Sequence, residues 1–375
     1  MNAEAMLAAA RLFADDYVAP TAEAWEARGE LPEDFFACAA EAGLLGIEVP
    51  VAFGGSALGF PVKAEICEIL AGADFGAAMA LVNSQNVAKK IAGAAGTTLA
   101  AVYVPDLVRG ARVGCTALTE PQAGSDFSAI ETRAQAVEGG WRLTGTKAWI
   151  TNAVRADTIV VYAQAGTPGD ARGIGAFLVD ARREGFVREG RSGAFGLHSC
   201  GAGGFRLESH FVPADAVLDP PGAAFKSILA EINGARLYVA AMCCGMVDSA
   251  IRRASDWGRH RTAFGKTLRE HQSWRLALAE AATDLAGLRA LVRSAATALE
   301  SGADVQLEAA QAKILAARVA QTRIPALIHA MGAEGLKTVH PLGRHLIGAQ
   351  FAGLVDGSTE MLLERVAKLT TKNWD

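Results

Sequence analysis

The hydrophobic period of this 375-residue chain changes twice, near Val113 and again after Pro221, and that double change fixes its class. Before Val113, apolar residues recur at three-to-four spacing. LPEDFFACAAEAGLL carries Pro32, Glu33 and Asp34 in a first turn ahead of such a run, which marks a helix start. MNAEAMLAAARLFADDY reads as an amphipathic helix, the glycine-rich EVPVAFGGSALGF as a loop, and Ala-rich helices are expected over about 61–81 and 85–94. Between the two changes, VGCTAL, WRLTGTKAWI, TIVVYAQ, GIGAFLVD and FRLESHFV are short β-type runs, separated by EGG, GTPGD and GAGG. No helical segment separates these runs, so a small β-barrel or sandwich is expected rather than a parallel α/β sheet. Beyond Pro221, two long helices flank GRHRTAFGKTL and reach about Leu299. A third covers roughly 305–331 with a kink expected at Pro325, and the last starts near Thr359. The expected class is α+β: an N-terminal helical domain (1–112), a middle β-domain (113–222) and a C-terminal four-helix bundle (223–375).

Length alone calls for more than one substructure. With 51% hydrophobic and 20% charged residues the chain has ample core material, and a net charge of −4 offers no electrostatic reason to bind nucleic acid or a membrane. No apolar run approaches the roughly 20 residues of a membrane span, and the early acids at the N-terminus do not fit a cleaved signal. Six cysteines, Cys38, Cys67, Cys115, Cys200, Cys243 and Cys244, lie in no C-x-x-C spacing and read as structural thiols of a reducing cytosol, which implies a cytoplasmic protein. His198, His210, His260, His271, His329, His340 and His345 form no ligand spacing, so no metal is expected. No G-x-G-x-x-G opens a helix after a strand. GAGG at Gly201 to Gly204 precedes a strand and reads as a turn, so any dinucleotide is held without a Rossmann unit.

Two stretches carry chemistry. TEPQAGSD (Thr119 to Asp126) puts a hydroxyl, a carboxylate, a proline and a Gly-Ser pair in one tight loop, and GTKAWIT (Gly145 to Thr151) ends a β-run on Trp149 with Thr151 two residues on. Read locally, the first is a surface turn and the second a strand with a core Trp. Read together, they suit a flat aromatic cofactor: an indole to stack on, hydroxyls and N–H groups for its edge, and glycine where the backbone must come close. The pair closely resembles the middle domain of the acyl-CoA dehydrogenase flavoproteins, and the domain order extends the resemblance over essentially the whole chain. It implies bound FAD, held between the β-domain and the C-terminal bundle. Leu118, Thr119, Gly124, Ser125 and Ile150 would contact it, with Trp149 against the isoalloxazine ring and Thr151 on its N5 edge; Ser125 would also meet substrate.

Further matches follow in the family's order. RTAFGKTLREHQ is similar to its R-x-x-F-G-x-x-L-x-x-x-Q stretch and assigns Arg261, Phe264 and Gln272 to FAD, with the Arg reaching the diphosphate or adenosine side across a dimer contact. IHAMGAEGL aligns with the Q-x-x-G-G-x-G loop, with His329 in place of Gln, Ala333 for a Gly and Glu334 for a small polar residue; His329, Met331 and Gly332 are the implied FAD contacts. INGARL places Arg236 near the thioester pocket and Asn233 on the CoA chain. The alternative catalytic carboxylate that some members carry before that Arg is Ala235 here. VDGSTEML takes the place of the family's Tyr-Glu-Gly-Thr. Asp356 sits at the Glu position, Val355 replaces Tyr, Ser358 replaces Thr, and Ile347 and Gly348 stand where an Arg-Asp pair commonly precedes the motif. Gly357 would meet substrate, and Ser358 and Glu360 the FAD. On local sequence alone Asp356 reads as a helix N-cap; by resemblance it is the base.

The implied reaction is α,β-dehydrogenation of a short, branched or cyclic acyl-CoA thioester. It needs a carboxylate against the α-carbon, hydrogen bonds polarising the thioester oxygen, and flavin N5 as hydride acceptor. An Asp reaches about 1.5 Å less far than a Glu, so the substrate would sit closer to the main chain or the proton removed would differ; an Asp in this position resembles dehydrogenases of cyclic carboxylic thioesters, where the base works on a ring. An electron-transfer flavoprotein as acceptor and a homodimer or homotetramer follow from the same resemblance. A dehydrogenase or monooxygenase of carrier-protein-bound acyl groups, or a non-catalytic subunit supporting a catalytic homologue, are the readings left open.

Overall fold

The computed structural model describes residues 1–94 and 96–371. Its N-terminal part is helical: α1 (Ala3–Leu12) continues through a π-helical stretch, Phe13–Val18, into α2 (Ala19–Arg28), followed by α3 (Phe35–Glu41), α4 (Phe60–Ala73), α5 (Phe75–Ala94) and α6 (Thr97–Val108). The break between the two Ala-rich helices falls at Asp74, earlier than the sequence suggests. The Asp74 carboxylate accepts the Ala77 N–H at 2.9 Å and so starts α5 there.

The middle part holds β1 (Gly114–Ala117), β2 (Arg133–Val137), β3 (Gly140–Ile150), β4 (Thr158–Gln164), β5 (Ile174–Asp180), β6 (Phe186–Arg191), β7 (Gly203–Pro213) and β8 (Val217–Asp219). They form one mixed sheet in the order β6-β7-β3-β2-β4-β5-β8, with β1 beside β4. Pairing is antiparallel except between β1 and β4 and at the Arg133–Gln164 contact of β2 with β4. β4 is buried along its whole length and β5 along nearly all of it, which accounts for their unbroken apolar runs.

The C-terminal part comprises α7 (Ala224–His260), the hairpin β9 (Thr262–Ala263) and β10 (Lys266–Thr267), then α8 (Gln272–Glu300), α9 (Gln306–Met331), α10 (Leu342–Leu354) and α11 (Thr359–Thr371). α9 packs against α8, α10 and α11 and runs through Pro325 without ending; α10 is an addition to the four helices expected. By length and composition α7 contains a window apolar enough to cross a membrane, contrary to the sequence reading, but 83% of that window is buried inside the protein. It is a core helix.

By contacts the chain divides into two compact units. One gathers Met1–Ala9, Gly29–Gly59 and Met79–Glu231, and holds the sheet; the other gathers Ala10–Arg28, Phe60–Ala78 and the chain from Ile232 on, and holds the bundle.

Candidate functional site

In the sheet unit the two motif stretches are tied together by a buried ion pair. Lys147 of β3, with no exposed surface, donates from Nζ to the Glu120 carboxylate at 2.7 Å and to the Leu118 carbonyl at 2.9 Å. Glu120 also accepts the N–H groups of Glu131 (2.7 Å) and Thr132 (3.0 Å) and the Gln122 amide at 2.8 Å. Every lone pair of that carboxylate has work, so the desolvation of the pair is met by strong hydrogen bonds. The Ala148 N–H donates to the Thr119 carbonyl at 3.1 Å, which lays the loop along β3. Leu118 and Thr119 are half-buried, while Gly124 and Ser125 are exposed.

Trp149 does not join the core. It lies where β3 slips register against β7, its backbone is left-handed (φ 59°), and its indole is 58% exposed. A non-glycine residue in that region carries a conformational cost of about 1–2 kcal/mol. The neighbouring Asn152, itself left-handed (φ 64°) and buried, donates from Nδ2 to the carbonyls of Ala80 (2.7 Å) and Gly114 (3.0 Å) and fixes the turn. Thr151 is half-buried with its hydroxyl 3.5 Å from the Cys200 sulfur. Ile150 is buried, which leaves only its backbone for a ligand.

In the bundle unit the predicted residues form two groups. The first surrounds the β9–β10 hairpin. Its turn residues Phe264 (φ 50°) and Gly265 (φ 77°) are both left-handed, the mark of a type I′ turn, and the Phe264 ring is 97% exposed. A groove of about 420 Å³ runs beside it, lined among others by Phe264, Leu268, His271, Trp274 and His329. The structure thus brings His329 to Phe264. Arg261 and Gln272 are exposed at the two ends of the hairpin segment. Met331 is buried by its side chain and can offer only backbone, and the Gly332 backbone (φ 66°, ψ −147°) is one that glycine alone adopts readily. Glu334, the odd charge in this loop, accepts from Lys337 at 2.7 Å and His340 at 3.2 Å; hydrogen bonds from Lys337 and His340 hold its pKa below the usual carboxylate range.

The second group centres on Asp356. The structure decides against the N-cap: α11 begins at Thr359, and the Ser358 hydroxyl faces the Met361 N–H at 3.4 Å. Asp356 itself is left-handed (φ 53°), and among the described residues nothing hydrogen-bonds its carboxyl. Its backbone is held instead. Arg236 Nε donates to the Asp356 carbonyl at 3.2 Å, its other arm donates to Asn233 Oδ1 at 2.9 Å, and Lys313 of α9 donates to the Gly357 carbonyl. Burial raises the Asp356 pKa, with Lys313 and Arg236 pulling the other way. Burial likewise lowers Arg236 to about 10 and Lys313 to about 8, both opposed by Asp356. Glu360 is exposed in the first turn of α11. Ala235 leaves no second carboxylate. At Gly348 a Cβ would come 2.8 Å from the Met246 sulfur and 3.2 Å from the Phe75 Cβ, so the larger residue of the family's Arg-Asp pair would require these side chains to shift.

Lys313, Lys147 and Glu120 were not assigned from sequence. Lys147 and Glu120 lie inside the quoted motifs and could have been found as a complementary pair; Lys313, in an Ala-rich helix, gives no such signal. Among the described residues no three His, Cys, Asp or Glu side chains converge as a metal site would need. Each unit by itself offers groups suited to a flavin dinucleotide: the sheet unit an indole turned outward by a strained backbone with the Thr151 hydroxyl near it in sequence, the bundle unit an aromatic-lined groove and the exposed Arg261.

Models of the N-terminal, middle and C-terminal domains of acyl-CoA dehydrogenase match residues 2–111, 115–210 and 223–370. The chain is 29% identical over 364 residues to the mitochondrial short/branched chain specific acyl-CoA dehydrogenase of Rattus norvegicus, covering 97% of this chain and 84% of that protein. It is 30% identical to the mitochondrial short-chain specific enzyme of Homo sapiens over 320 residues, covering 85% and 78%. Butyryl-CoA dehydrogenase from Megasphaera elsdenii superposes with a TM-score of 0.94 at 26% identity, covering 98% of each chain. With all three domains matched in order and the whole fold superposed, this chain belongs to the acyl-CoA dehydrogenase family of FAD-dependent oxidoreductases.

Proposed function

We propose that this protein dehydrogenates a short, branched or cyclic acyl-CoA, with Asp356 as the base that removes the α-proton. The observation that carries this reading is the Asp356 carboxyl. It is half-buried, with burial raising its pKa, it is left without a protein hydrogen-bond partner among the described residues, and it stands on a backbone clamped by Arg236 and Lys313. A carboxylate used for structure would be hydrogen-bonded, as Glu120 is. One raised by burial moves toward the range where it accepts a carbon-bound proton effectively.

The residues divide the work. Arg236, oriented by Asn233, fixes the Asp356 main chain, so that the Asp356 N–H can polarise a thioester oxygen while Oδ takes the proton. Trp149, Thr151 and the Leu118–Ser125 loop would hold the flavin ring, and Arg261, Phe264, Gln272, His329, Met331, Gly332, Ser358 and Glu360 the rest of the cofactor. Bound FAD supplies the hydride acceptor. The side chain one bond shorter than Glu favours an acyl group that packs close to the main chain. Short/branched-chain and isovaleryl enzymes among the relatives support a compact acyl group.

An electron-transfer flavoprotein is the proposed acceptor. A homodimer or homotetramer is proposed because Phe264 stands almost fully exposed beside a groove. Six cysteines, none of them in a disulfide among the described residues, support a cytoplasmic location. The test is an anaerobic flavin-bleaching screen with linear, branched and cyclic acyl-CoAs. Bleaching by a compact acyl-CoA is the expected result. A yellow protein bleached only by acyl-carrier thioesters, or a colourless one that captures a homologue, would replace this reading with one of its alternatives. Arg261→Ala should lower FAD occupancy, and unchanged occupancy removes Arg261 from the site.

A further inference from the structure

We infer that Lys313 is a positioning residue for the base: its ammonium clamps the loop that carries Asp356 and sets the pH at which that carboxyl is ionised. The inference rests on the reading of Asp356 given above. Three observations lead to it.

The first is the clamp. Lys313 Nζ donates to the Gly357 carbonyl while Arg236 Nε donates to the Asp356 carbonyl, so two successive carbonyls are each held by a cation, from α9 and from α7. The second is burial: Lys313 is 1% exposed and Arg236 8%. A lysine is almost never placed so deeply for a carbonyl alone, which a neutral donor would satisfy at far lower desolvation cost. The third is the left-handed Asp356 backbone, a conformation that persists only where its surroundings over-determine it.

The charges that act on the carboxyl are Lys313 of α9 and Arg236 of α7. Lys313 in turn faces Arg236, Glu360 of α11 and the Cys243 thiol of α7, which burial pushes up to about 12 and so keeps neutral, and Arg365 of α11 acts on Arg236. The two cations nearest Asp356 oppose the effect of burial on it. Arg236 keeps its proton throughout the working range. Lys313, lowered to about 8, gives up its charge as the solution turns alkaline. Lys313 is therefore the adjustable member of the pair, and its ammonium keeps Asp356 ionised as the proton acceptor when substrate excludes water.

The test compares Lys313→Met, Lys313→Gln and Lys313→Arg by two readouts. One is the pH dependence of anaerobic flavin bleaching by whichever acyl-CoA reduces the wild type. The other needs neither substrate nor FAD: an infrared titration of the Asp356 carboxyl in cofactor-free protein, assigned by difference against Asp356→Asn. The Met and Gln variants should raise the acid midpoint by about one pH unit in both, as expected when a neighbouring cation is lost. Arg keeps the charge and should leave that midpoint near wild type. A purely structural Lys313 predicts slower bleaching at every pH with no shift, and that result, or an unmoved carboxyl midpoint in Met and Gln, overturns the inference. Gln can still donate to the Gly357 carbonyl; should both neutral variants fail to fold, an Arg variant whose carboxyl midpoint departs from wild type by a unit or more is the overturning result. A wild type bleached by no acyl-CoA refutes the proposed reaction and leaves the infrared titration to decide on Lys313.

Discussion

Asp356→Asn separates a catalytic from a structural role because the structure gives opposite signs for the two. Asparagine is isosteric and, with aspartate, among the residues that tolerate the left-handed region, so the backbone at φ 53° should survive. No hydrogen bond to the carboxyl is lost; the charge removed is one that burial disfavours, and it also offsets the buried cations Lys313 and Arg236. The two effects oppose, so stability at neutral pH should change by no more than about 1 kcal/mol. Ser358 continues to cap α11. Catalysis should behave otherwise: a positioned base contributes about 10²–10⁴-fold, or about 3–5 kcal/mol of barrier. With Ala235 offering no substitute, stopped-flow bleaching under anaerobic conditions should slow by that factor while FAD content and the urea midpoint stay put. Asp356→Ala supplies the control, losing the same rate and in addition about 1 kcal/mol of stability to the strained backbone. Bleaching by Asp356→Asn within tenfold of wild type would refute the assignment; so would a large stability loss in that variant, since it would return the residue to a structural role.

Phe264→Asn converts the hairpin turn to Asn-Gly, the preferred type I′ pair, so hairpin stability should hold or improve while FAD affinity, read by flavin fluorescence, falls several-fold; unchanged affinity would remove Phe264 from the cofactor contacts. Lys147→Met leaves the Glu120 carboxylate buried without its cation and should cost about 3–5 kcal/mol in urea unfolding, with part recovered on adding Glu120→Gln; a loss below 1 kcal/mol would mean the pair does not anchor the loop. His345 is fully buried, and burial with Arg344 nearby lowers its pKa to about 3, so the native state excludes a proton that the unfolded chain takes up below about 6.5. Its contribution is complete above that pH and is lost as pH falls toward 3, about 3 kcal/mol by pH 4. His345→Gln should flatten that acid limb of the stability curve. Asp356→Glu should slow a compact acyl-CoA and improve linear ones, and uniform slowing would detach side-chain length from substrate choice.

What sequence reveals here is what repeats or alternates. β3, β4, β5 and β7 are legible because apolar residues either alternate or run unbroken, and α7, α8 and α9 because length and composition leave no alternative. β2 and β6 escape because most of their residues face solvent and nothing marks a buried side. α10 escapes because three glycines dilute its helical signal, although two of them, Gly348 and Gly353, are buried for close packing. The motif stretches locate the candidate site but not its inner mechanics. Lys313 looks like any solvated lysine on an Ala-rich helix until α9 is packed among its neighbours. Likewise, the outward indole of Trp149 depends on a register slip that only pairing with β7 creates.

The left-handed backbone recurs at Trp149, Phe264 and Asp356, three bulky or charged residues that local energetics would replace by glycine or asparagine. An engineer selecting this chain for heat tolerance, by screening or by scoring each position against its backbone, would meet these three among the first apparent improvements. Each gain would be real for the empty polypeptide and would remove an aromatic platform or the proposed base. Any such campaign on this scaffold should therefore lock all three positions and seek its increments elsewhere.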